Sequence, residues 1–86
     1  MLDEGETRQR AEGAAAEAIA ALYPGTPVAP AAACVIDAAR EDEVATLARL
    51  SAAEDAAATR RDLVRIIAAR DRTETCLRLN GIDLLR

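Results

Sequence analysis

Apolar residues return at intervals of three and four along most of this chain, the spacing that lines one face of an α-helix. Ala11, Ala14, Ala15, Ala18, Ile19 and Leu22 make the first such stripe. An acidic opening precedes it, with residues 1–6 expected to be frayed. There Asp3 and Glu6 have the spacing of a capping box, and Thr7 offers an alternative N-cap. The stripe must stop near Tyr23, because the residue before a proline is pushed out of the α region. Residues 24–30 hold three prolines and a glycine and read as a linker between the first and second helices. Pro30 suits the first turn of the next helix, where its missing N–H leaves nothing unpaired.

The second stripe predicts a helix over 31–50, lined by Ala32, Val35, Ile36, Ala39, Leu47 and Leu50 and interrupted by Glu43. The pattern leaves open a break near residues 40–43. Ser51-Ala52-Ala53-Glu54 has the form of a capping box, which predicts a third helix over 52–79; one long helix through this region is the alternative. The apolar side of the third helix is Ala52, Ala56, Leu63, Ile66, Ile67 and Leu77. Asn80-Gly81 supplies a left-handed C-cap, with Ile82 placed to fold back in a Schellman contact. The resulting expectation is all-α: a single domain over 1–86, built as a small antiparallel helical hairpin or three-helix bundle.

Composition changes that picture in one respect. Alanine occupies 22 of the 86 positions, and it favours helix because it loses no side-chain entropy there. It also contributes little buried area. The large aliphatics are nine Leu, five Ile and four Val, and a chain this short buries only ~60–65% of its unfolded surface. A thin core therefore predicts completion by oligomerisation, with helices pairing as in a coiled coil. The net charge of −4 is unevenly placed. Residues 1–59 carry four Arg against eleven acids, or −7, and residues 60–86 carry seven Arg against four acids, or +3. Such halves can pair within a chain or between antiparallel copies. Every basic residue is Arg, a usage that fits a GC-rich bacterial genome.

Chemistry is sparsely supplied. Without histidine, a glycine-rich phosphate loop or a Glu-x-x-His pair, no enzymatic activity is expected, nor any cofactor. Cys34 and Cys76, lacking a leader peptide or a secreted disulfide pattern around them, are expected as buried free thiols. Two cysteines without histidine do not make a zinc site. The uncharged run 18–36 contains Pro24, Gly25, Pro27 and Pro30, so it is a turn and not a membrane span. The expected location is cytoplasmic.

Arg70 and Glu74 fall in the third stripe within about 40° of each other around the helix. Either they snorkel to solvent, or they act as a charge pair on an apolar seam. Such a pair fixes register or partner choice at a cost in stability. On that second reading Arg70→Leu raises the melting temperature. Leu63, Ile66, Ile67, Arg70, Glu74, Leu77, Leu84 and Leu85 form the expected contact surface. The function this implies is a protein–protein interaction module: an adaptor, an assembly chaperone or a minor subunit of a complex. It would act on a second copy or a hetero-partner through an amphipathic helix. The competing reading is a short DNA-binding regulator using Arg60, Arg61, Arg65, Arg70 and Arg72. Interleaved Asp62 and Asp71, an acidic chain and a single aromatic weigh against nucleic acid.

Overall fold

The computed structural model describes residues 4–84, and these fold into α-helices and a single 3-10 turn, with no strand among them. Helix α1 spans Glu4–Leu22. It begins inside the segment expected to fray, with Glu4 and Glu6 in its first turn, where the helix dipole favours negative charge. Residues 1–3 lie outside the described residues. Past Tyr23 the chain turns through Gly25, whose φ of 89° suits a residue without a Cβ. Helix α2 spans Val28–Ala38 and so starts before the expected linker ends, with Pro30 in its first turn.

The two long helices expected over 31–79 are four short ones: α2, α3 (Glu41–Leu50), α4 (Ala57–Ala68) and α5 (Asp71–Leu79). Ala39 and Arg40 take extended ψ values of 148° and 161° and separate α2 from α3. Glu43 is what restarts the helix. Its carboxylate accepts a hydrogen bond of 2.8 Å from the Arg40 backbone N–H, satisfying one of the donors that every helix N-terminus leaves open.

The capping box expected at Ser51 does not form. Ser51 closes α3 instead, its hydroxyl donating to the Ala48 carbonyl at 2.6 Å, and a 3-10 turn at Glu54–Ala56 precedes α4. A side-chain hydroxyl serves either helix end, so the same residue fits both roles. The third expected helix is interrupted at Arg70, which adopts ψ 145°. At the far end of α5 the Schellman motif forms as the sequence indicates. Gly81 has φ 69°, its N–H bonds to the Arg78 carbonyl at 3.0 Å, and the Ile82 N–H bonds to the Leu77 carbonyl at 2.8 Å.

Helix α1 is the centre of the bundle, packing on α2, α3 and α4, whereas α5 rests mainly on α2 and only lightly on α4. Alanines 11, 14, 15 and 18 let the neighbouring backbones approach α1 closely, and Ile19, Val35, Ile36, Leu47, Val64 and Ile67 fill the space between. The radius of gyration, 11.8 Å, matches the ~12 Å expected of a self-contained domain of this length. Among the described residues, no helix is long and apolar enough to cross a membrane.

The two cysteines are bonded to each other and are not free thiols. Cys34 on α2 and Cys76 on α5 form a disulfide with a Cα–Cα distance of 5.6 Å, across 42 residues of sequence. Closing a loop of that length removes chain entropy from the unfolded state worth ~4 kcal/mol in the loop-closure treatment. Sequence spacing alone carries no sign of this pairing; it arises because the break at Arg70 lays α5 across α2.

Candidate functional site

The breaks between helices leave carbonyl groups without intrahelical partners, and two arginines turn inward to meet them. Arg60 is 9% exposed and donates through one guanidinium nitrogen to the carbonyls of Leu50 and Ala53, at 2.6 and 2.7 Å. Leu50 is the last residue of α3, so this bond ties the end of α3 to α4. Arg70 joins both remaining breaks. It donates to the Ala38 carbonyl at the end of α2 (3.2 Å), and both its terminal nitrogens reach the Glu43 carboxylate at 2.6 Å.

Glu43 is 6% exposed. Its pKa is lowered from 4.5 to about 2, first by the Arg70 hydrogen bond, which outweighs the opposing effect of burial. The Arg40 backbone bond and the charges of Arg70 and Arg40 lower it further. Arg70 is correspondingly held above its ordinary value by Glu43. Of the two alternatives for Arg70 and Glu74, the charge pair does not form, and only Glu74 turns to solvent as the snorkelling alternative has it. The break before α5 takes Arg70 off the α5 face, its partner is 27 residues away, and Glu74 is exposed.

The expected contact residues separate into distinct environments. Ile67 is fully buried in the core, and Leu63 packs half-buried against that core. Ile66 stands 59% exposed, because the inward face of α4 is set by Arg60, Val64, Ile67 and Ala68. Leu85 lies outside the described residues.

Glu74, Leu77 and Leu84 do come together. They line one open cleft with Ala68, Arg78, Ile82 and Asp83. Ala68, Leu77, Ile82 and Leu84, all under 9% exposed, make an apolar floor, and Glu74, Arg78 and Asp83 bring both signs of charge to it. Its volume of about 380 Å³ is near the low end of the ~300–1,000 Å³ typical of ligand pockets, room for a few side chains. Ala68, Arg78, Ile82 and Asp83 were not among the expected site residues. The Schellman signal at Asn80-Gly81 could have found the last two, since it folds the following residues back along α5. A smaller depression of about 160 Å³ lies between the Pro24–Pro27 turn and residues 81–84.

The remaining arginines of the basic cluster are Arg61, Arg65 and Arg72, all exposed. Arg65 pairs with Asp62 at 3.7 Å on the surface of α4. No family model, curated protein or solved structure matches this chain.

Proposed function

We propose that this protein is a small interaction module that seats an apolar segment of a partner protein in the cleft formed by α4, α5 and residues 81–84. The observation that carries this reading is the cleft itself: an open depression floored by the largely buried Ala68, Leu77, Ile82 and Leu84 and edged by charge of both signs. An apolar centre within a polar rim is the anatomy of protein–protein contact sites. Leu79, 84% exposed on the same helix, adds apolar surface outside the cleft. Arginine usage favours a protein partner over nucleic acid. Arg60 and Arg70 are committed to internal carbonyls and to Glu43, and Arg65 has an acidic neighbour. A phosphate-binding surface requires such residues to be free.

Capture of partners on immobilised protein tests the proposal. The comparison is with a rim variant, Glu74→Arg combined with Arg78→Glu, whose circular dichroism melt must match the parent. A protein that binds the parent and is lost on the variant supports the cleft. Binding that ignores the rim, or retention of nucleic acid that weakens steeply with salt, refutes it. Sedimentation of both forms tests whether the partner is a second copy, in which case the rim variant shifts toward monomer.

A further inference from the structure

We infer that the Cys34–Cys76 disulfide is a redox latch that holds the cleft in shape, and that a dithiol reductant opens it. Six of the seven residues lining the cleft, Ala68 being the exception, lie on α5 or just beyond it. That element is anchored unevenly. Its start is held by Arg70 on Glu43 and by the buried Thr73 hydroxyl, which donates to the Ile67 carbonyl at 2.6 Å. Past Thr73 the covalent tie from Cys76 to α2 is accompanied by the packing of Leu77, Ile82 and Leu84 and by the long bond from the Asn80 amide to the Cys34 sulfur. The core of α1–α4 closes through Ile19, Val35, Ile36, Leu47, Val64 and Ile67, none of them on α5. Loss of the bond therefore frees residues 74–84 about a hinge at 70–73 and leaves the other helices packed.

The two sulfurs differ in access. Cys34 is 1% exposed, whereas Cys76 is half-buried, so Cys76 is the more accessible end of the bond. Attack at the Cys76 Sγ forms a mixed disulfide with the reductant and expels Cys34 as a thiolate. The Asn80 amide nitrogen, 3.7 Å from the Cys34 Sγ and 3.9 Å from that of Cys76, can donate to either sulfur as charge develops. The second thiol of the reductant then attacks its own sulfur in the mixed disulfide, releasing Cys76. In total the protein disulfide gains two electrons and two protons to become two thiols, and the dithiol becomes a cyclic disulfide.

The consequence for binding rests on the interaction reading above, but the latch is measured without any partner. The full chain is equilibrated in native buffer with graded ratios of reduced to oxidised dithiothreitol, followed by thiol counting and by amide hydrogen exchange. On reduction, exchange across 74–84 should accelerate ~tenfold or more, with α1 changing less than about twofold, and reoxidation should restore protection. Cys34→Ala combined with Cys76→Ala should reproduce the reduced pattern and ignore the reductant. A bond that resists the dithiol under native conditions overturns the latch. So does unchanged exchange in 74–84, or loss of protection in all helices together. A chain that opens on reduction yet captures no protein in either state supports the latch and refutes the interaction reading.

Discussion

Glu43→Gln removes one charge from the junction that Arg70 and Arg40 share, while keeping the shape of the side chain and an oxygen to accept the Arg40 N–H. In the folded protein the Glu43 carboxyl sits at about 2 against an ordinary 4.5. At ~1.4 kcal/mol per pKa unit, that difference corresponds to ~3 kcal/mol of stability at neutral pH. The Arg70 side chain is 30% exposed, and screening by solvent on that side reduces the figure to ~2 kcal/mol. For a domain of this size each kcal/mol moves the melting temperature by about 4–8 °C. The variant should therefore melt roughly 10 °C below the parent at pH 7.

The pH dependence has a definite sign. Because the folded pKa is depressed, the unfolded chain takes up the proton first as pH falls. The Glu43 contribution is complete above the unfolded value near 4.5, declines between 4.5 and about 2, and is absent below. Thermal melts of both proteins from pH 7 to pH 2 should show a gap that closes over that window. Equal melting temperatures at pH 7, or a gap that persists unchanged at pH 2, would refute the account of the junction.

Three further outcomes follow from the same contacts. Arg70→Leu should lower the melting temperature by several degrees, the reverse of the expectation from the charge-pair reading, since buried Glu43 is left with Arg40 alone and the Ala38 carbonyl loses the Arg70 donor; differential scanning calorimetry decides the sign. Arg60→Met keeps the length of the side chain but removes the charged donor from the Leu50 and Ala53 carbonyls, leaving them their backbone bonds from the Ala53 and Ala56 N–H groups. It should cost about 1–2 kcal/mol by urea titration with an unchanged slope. Gly81→Ala must hold φ at 69°, a left-handed conformation that disfavours a Cβ, and should cost about 1 kcal/mol in the same titration.

The stripe on α1, the stop before Pro24 and the cap at Asn80-Gly81 were all legible in the sequence, because each depends on interactions within a few residues. Ala11, Ala14, Ala15, Ala18 and Ile19 are buried as their spacing indicates. Proline geometry and a glycine at positive φ act on their own stretch of backbone whatever lies around them. The all-helical class followed from the same local preferences.

Tertiary structure decided where the long amphipathic stretches break and what the polar residues inside them do. Nothing local marks Ala69 as a terminus, and near Ala39 only the interruption of the stripe by Glu43 hints at one. Both breaks hold because Arg70 reaches Glu43 and the Ala38 carbonyl from another helix, a bond across 27 and 32 residues. The same breaks bring Cys34 to Cys76 and set Leu77 and Leu84 into one cleft while turning Ile66 outward. Periodicity reports which face of a helix is apolar. It carries no information about partners distant in sequence, and in this chain those partners determine both the ends of the helices and the shape of the proposed binding surface.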